Sequence, residues 1–163
     1  MRLSFRLKHL FFNAFRELFV HHHGSLEFRA KIFALVIAAN EDVKVENYDL
    51  VKKIAEEIYG EDKDRANLLL ITTKELVDKV KEDNGLDIDT LVLNIQKDLK
   101  IVPRYAKKID TKALVPFLSI SHDNDTISYQ QNIIDFLETL KEETLTSKKS
   151  QIAKDEEELN TAK

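Results

Sequence analysis

Apolar and polar positions along this chain recur with the 3.6-residue period of α-helices, not the two-residue period of strands. Placed at 100° per residue, residues 1–20 divide into two arcs. Arg2, Arg6, His9, Asn13, Arg16 and Glu17 share one arc. Leu3, Leu7, Leu10, Phe11, Phe12, Ala14, Phe15, Leu18 and Phe19 fill the other, with Lys8 inside it and Phe5 at the polar edge. The apolar arc spans about 200°, about twice the stripe of an ordinary surface helix. This helix is expected to stop near His21–Gly24, with Gly24 in a left-handed C-terminal conformation.

The same period continues. Ser25 is placed to cap a helix over 26–39. That helix is apolar nearly all round after Lys31 and therefore belongs at the centre. After the polar turn Asn40-Glu41-Asp42, a helix over 45–59 shows Leu50, Val51, Ile54, Ala55 and Ile58, and Gly60 ends it. A helix over 63–83 carries Ala66, Leu69, Leu70, Thr73, Leu76, Val77 and Val80, and Gly85 terminates it. Asp87 or Asp89 caps the next, whose face is Ile88, Leu91, Val92, Ile95 and Leu99. Pro103 precedes a short basic segment, and a helix over 111–122 tolerates Pro116 in its first turns. Ser128 with Gln131 forms a capping box for the last helix, with Tyr129, Ile133, Phe136, Leu137 and Leu140 turned inward. Past Glu143 the chain has few large apolar residues, which predicts a solvated helix or a disordered tail over 144–163.

Composition sharpens this picture. The 163 residues include only 3 Gly and 2 Pro, too little punctuation for an all-β or parallel α/β fold. The expected architecture is all-α: a compact bundle of seven or eight helices. Its parts are a basic amphipathic helix at 1–24, a helical domain at 25–143 and a charged tail at 144–163. The chain contains no cysteine, which excludes disulfides, thiolate metal sites and a cysteine nucleophile. A reducing compartment, the cytoplasm, is the corresponding expectation. Charged residues break the N-terminal apolar stretch and no small-residue cleavage site precedes Gly24, so it does not read as a signal peptide. Uncharged runs such as Ile32 to Asn40 are about half the roughly 18–20 residues of a transmembrane helix.

Charge is unevenly placed within the net −4. Residues 1–24 carry +3 from Arg2, Arg6, Lys8 and Arg16 against Glu17. Residues 141–163 carry −1, which leaves −6 on the body between. A net negative chain has no general attraction for nucleic acid. Lys97, Lys100, Arg104, Lys107, Lys108 and Lys112 do cluster, but with Tyr105 as their one aromatic neighbour they read as a solvated face.

Two segments echo each other 84 residues apart: Ala39 to Asn47, and Asp123 to Gln131. Each sets an acidic turn between an apolar and an amphipathic helix, with Val43 or Ile127 pointing inward. This pattern resembles the tellurite-resistance TerB-like family over about residues 26–142. Ala39, Val43, Ile127 and Ser128 match its motif. Asn40, Glu41, Asn47, Asn124, Asp125 and Gln131 stand where the family prefers Asp, Gly and Glu. The resemblance implies a TerB-like all-α domain and a non-enzymatic, stress-associated interaction module.

Four candidate chemistries remain. Glu41, Asp42 and Glu46 in one turn and Asp123 and Asp125 in the other offer oxygen ligands to a divalent cation. Helix capping explains the same acids. His122-Asp123 resembles the paired ligands of HD phosphohydrolases, with His21, His22 or His23 as first ligand and Asp135 as last, an alternative reading as a metal-dependent enzyme. Three consecutive His cannot chelate together on a helix. The N-terminal helix, through Leu7, Leu10, Phe11, Phe12, Phe15, Leu18 and Phe19, offers a surface for a protein partner, a second copy, or peripheral contact with an anionic membrane.

Overall fold

The computed structural model describes residues 24–162. Six α-helices are present among them: α1 (Gly24–Ala38), α2 (Val45–Tyr59), α3 (Lys63–Lys81), α4 (Ile88–Ile101), the single turn α5 (Thr111–Leu114) and α6 (Asn124–Thr161). Two 3-10 segments, Pro103–Lys108 and Val115–Ser119, flank α5. The described residues contain no strand, and none of their helices is long and apolar enough to cross a membrane. The fold is all-helical, as the periodicity predicts. The amphipathic segment 1–23 lies outside the described residues.

α1 is the axis of the body. Every residue from Ile32 to Asn40 is buried, and Phe28, Ala30, Leu35, Val36 and Ile37 are fully so. α1 packs against α3, α4, the Pro103–Lys108 segment and α6, while α2 lies on α3. Burial of each large side chain on α1 stabilises the fold by about 1.5–3 kcal/mol. Phe33 meets Phe117 with ring centroids 5.9 Å apart, and Phe28 meets Tyr105 at 5.3 Å. Lys31 on α1 pairs with Asp98 on α4 at 2.6 Å.

The carboxyl end of α1 is buried, so its last carbonyls need donors from elsewhere. Asn40 N–H turns back to the Ile37 carbonyl at 3.0 Å. The Val36 carbonyl accepts instead from Gln130 Nε2, at 2.9 Å, from the fully buried Gln130 on α6. Lys81, the last residue of α3, donates its ammonium to the Asn40 carbonyl. Three helices are thereby tied at one polar point. Burial lowers the pKa of Lys81, and the Glu41 carboxylate opposes that shift.

Several boundaries differ from the sequence expectation. Gly24 and Ser25 lie inside α1, and Gly24 is not among the left-handed residues. Its lack of a side chain serves packing: a Cβ there would collide with the Tyr105 hydroxyl. α3 ends at Lys81, where the Asn84 N–H reaches the Lys79 carbonyl at 2.9 Å and Asp83 N–H the Val80 carbonyl at 3.5 Å. This is a Schellman motif whose left-handed residue is Asp83 (φ 50°), two positions before Gly85. Asp87, not Asp89, caps α4 and accepts from Thr90 N–H at 2.6 Å.

The helix expected over 111–122 is broken into α5 and a 3-10 segment, because Pro116 offers no N–H to the helical ladder. α6 begins four residues before the expected capping box. Asp123 caps it by accepting from Thr126 N–H at 3.0 Å and Oγ1 at 2.8 Å, so Ser128 is an interior helical residue. The buried face of α6 is Thr126, Gln130, Ile133, Ile134 and Leu137. Tyr129 and Phe136, expected inside, are 44% and 37% exposed.

Two stability tests follow from these ends. Asp83→Gly removes a strained left-handed Asp and raises stability by about 1 kcal/mol, measured by urea denaturation. A loss of stability would show that Asp83 makes a compensating side-chain contact. Gln130→Ala strips the donor from a buried carbonyl and lowers stability by about 2–3 kcal/mol. A change below about 0.5 kcal/mol would mean that the bond to Val36 carries no net stabilisation.

Candidate functional site

α6 outruns the body. At 38 residues it is about 57 Å long, and from Gln151 onward its described side chains are exposed. An open groove of about 560 Å³ is lined by the end of α4, Pro103 and residues 140–152 of α6. Leu99, Pro103, Leu140 and Ile152 form its apolar lining. Gln96, Lys100, Glu143, Thr144, Ser147, Lys148 and Gln151 form the polar remainder. A side chain at 140, 144, 148 and 151 or 152 projects to one side of a helix, which is why α6 lines the groove with one stripe.

The groove combines an apolar lining with polar and charged side chains. Apolar side chains of α4 and α6 lie open to water, Ile101 at 67% exposure, Ile152 at 47% and Leu159 at 69%. Leu145, Ile152 and Leu159 recur every seven residues along α6, the spacing of one row of a helix–helix seam. A second, smaller cleft of about 290 Å³ lies among α1, α2 and α5, with Arg29, Glu57, Lys107, Lys108 and Asp110 charging its rim.

The acidic turns hold the carboxylates named from the sequence, and each is otherwise engaged or open to solvent. Glu41, Asp42, Glu46, Asp123 and Asp125 are exposed. Asp42 N–H donates to Asn40 Oδ1 at 3.2 Å. Asp123 caps α6, and the Thr126 hydroxyl and N–H hold its carboxyl below the usual carboxylate range. Among the described residues no three His, Cys, Asp or Glu side chains come together as a metal cluster. Asn40 and Asn47 are buried amides: Asn47 donates to the Lys44 carbonyl at 3.3 Å, and Asn40 Nδ2 and Asn47 Oδ1 are left without partners.

His122 is exposed beside Asp123, and Asp135 is exposed on α6, where it accepts from Gln131 at 2.9 Å. The proposed first ligands His21, His22 and His23 lie outside the described residues, as do Leu7, Leu10, Phe11, Phe12, Phe15, Leu18 and Phe19. Lys97, Lys100, Arg104, Lys107, Lys108 and Lys112 are all exposed. The groove itself was hidden in the sequence, because Leu99 and Leu140 read as core positions and residues past 143 as a tail. Of the row Leu145, Ile152 and Leu159, only Ile152 lines the groove.

The caps give a pH test. In Asp87 the Thr90 N–H and hydroxyl, and in Asp123 the Thr126 hydroxyl and N–H, lower the folded pKa. A depressed folded value adds stability that is present above the unfolded pKa and is lost as pH falls through the folded one. Asn also caps well, so Asp87→Asn with Asp123→Asn leaves neutral-pH stability nearly unchanged. The double variant flattens the fall in Tm below about pH 4, followed by circular dichroism. An unchanged acid limb would falsify this assignment of the caps.

No family model, curated protein or solved structure matches this chain, so the geometry of the groove carries the functional argument.

Proposed function

We propose that this chain is a non-enzymatic helical interaction module that receives an amphipathic helix in the groove between α4 and α6. The observation that carries the reading is the apolar floor of Leu99, Pro103, Leu140 and Ile152, held open along a helix that projects beyond its own body. A helix laid there adds a neighbour to Ile152, whose large side chain faces water. The polar rims of Lys100, Glu143 and Lys148 set register more than they add affinity.

A TerB-like ancestry belongs to the same proposal. It rests on the acidic turns after α1 and before α6, and on the residues Ala39, Val43, Ile127 and Ser128 that match the family's motif. Stress-associated interaction is the role that ancestry suggests.

The test compares full-length wild type with Ile152→Glu as bait in an extract of the source cells, read by quantitative mass spectrometry. A charge on the groove floor reduces retention of a specific helical partner about tenfold, with far-UV circular dichroism unchanged. Identical retained sets for the two baits would remove the groove as the partner surface.

A further inference from the structure

We infer that the helix this surface takes is the projecting end of α6 from a second copy of the chain, laid antiparallel about a two-fold axis at Ile152. The inference rests on the reading of the open end of α6 as a helix-binding surface, and it names the occupant. Three observations select a second copy.

The first is the apolar row. Leu145, Ile152 and Leu159 stand two turns apart on one side of α6. Leu145 is partly buried against the core, whereas Ile152 and Leu159 are open to water. In an antiparallel pair centred on Ile152, heights along the two helices run in opposite directions. Leu145 of one protomer then meets the partner's Leu159, and Ile152 meets the partner's Ile152. The row is its own complement, as a two-fold contact requires.

The second is charge, which chooses the direction. On the wheel of α6, Lys148 and Asp155 flank the row on one side, and Lys149 and Glu156 flank it on the other. An antiparallel two-fold pair brings like flanks together. Lys148 then falls opposite the partner's Asp155 and Lys149 opposite the partner's Glu156, each about 1.5 Å out of level. Symmetry repeats both, so four pairs of opposite charge line the contact. The bond from Gln151 uses Asp155 Oδ1 and leaves Oδ2 for the lysine. A parallel pair in register crosses the flanks instead. It sets Lys148 against the partner's Lys149 and Asp155 against the partner's Glu156, and every attraction becomes a repulsion.

The third is room. Every described side chain of α6 is exposed from Gln151 onward. In the pair the two Leu145 positions lie about 21 Å apart along the axis, so the two bodies sit at opposite ends of the paired segment. Residues 152–161 of the partner run beside residues 143–152, the stretch of α6 that borders the groove.

Sedimentation equilibrium of the full-length chain over a concentration series reads the pairing. The wild type is expected to form a dimer whose fraction rises with concentration, and Ile152→Glu to leave monomer. Lys148→Glu/Lys149→Glu weakens the dimer about tenfold. Adding Asp155→Lys/Glu156→Lys in the same chain exchanges the charges and restores it, which neither a parallel pair nor a contact elsewhere would do. Far-UV circular dichroism checks that each variant keeps its helix content. A wild type that stays monomeric overturns the inference. So does a dimer indifferent to Ile152→Glu, or one that the charge exchange fails to restore. Retention of another protein by a monomeric chain, lost with Ile152→Glu, sinks this inference alone and leaves the partner reading of the groove. A dimer that needs Ile152, with identical retained sets for the two baits, removes a foreign partner and leaves the second copy standing.

Discussion

A helix that is apolar on every side gains its stability only when neighbours cover all of it. α1 is such a helix, and the rest of the body is arranged by that requirement. α3, α4, the Pro103–Lys108 segment and α6 each take part of its surface. Its ends raise a separate demand, because a buried helix terminus leaves carbonyls that water cannot reach. Gln130 and Lys81 answer it from α6 and α3. Leaving such a carbonyl unpaired costs about 1–3 kcal/mol, comparable to the burial of a whole apolar side chain. The polar point at the end of α1 therefore fixes the register of three helices, which apolar packing alone would leave freer to slide.

The same arrangement explains the uneven character of α6. Its first half is held by Gln130, Ile133, Ile134 and Leu137 in the core. Among the described residues, its second half has only the partly buried Leu145 against the core. It relies on backbone hydrogen bonds and on local pairs such as Gln151 with Asp155 at 2.8 Å, which are individually small. The exposed stretch from Gln151 to Thr161 is short enough to be marginal as a lone helix in water. An occupant of the groove would therefore stabilise the projecting half as well as bury its own apolar face, and folding of the two would be coupled.

Of the acids named from the sequence as possible cation ligands, Asp123 is a helix cap, and other acids of the chain act in the same way. Asp87, Asp110 and Asp123 each accept from the N–H three residues on and start a helix. Asp62 does the same for α3. A helix N-terminus draws negative charge to itself, which is why Asp stands at these four helix starts.

Much of the fold was legible in the sequence, and the reason differs by element. The period and polarity of residues 26–39, 45–59 and 63–83 determine helices, and the uninterrupted apolar run after Lys31 determines that α1 is central. These are properties of single helices, so sequence spacing is enough. Competition between nearby caps was not legible: Asp123 and Ser128 both satisfy the local rule, and the earlier start is the one that turns Gln130 to the Val36 carbonyl. Nor was the fate of 111–122, where Pro116 is locally tolerable but the chain tightens to a 3-10 turn. The groove lay furthest from reach, since a cleft is the shape of the space between elements distant in the chain. The sequence by itself determined which residues form helices and which helix lies at the centre, because both follow from local spacing. Only the tertiary structure decided which cap starts α6, which amide closes α1 and where an apolar surface stays open, because each depends on residues brought together from distant parts of the chain.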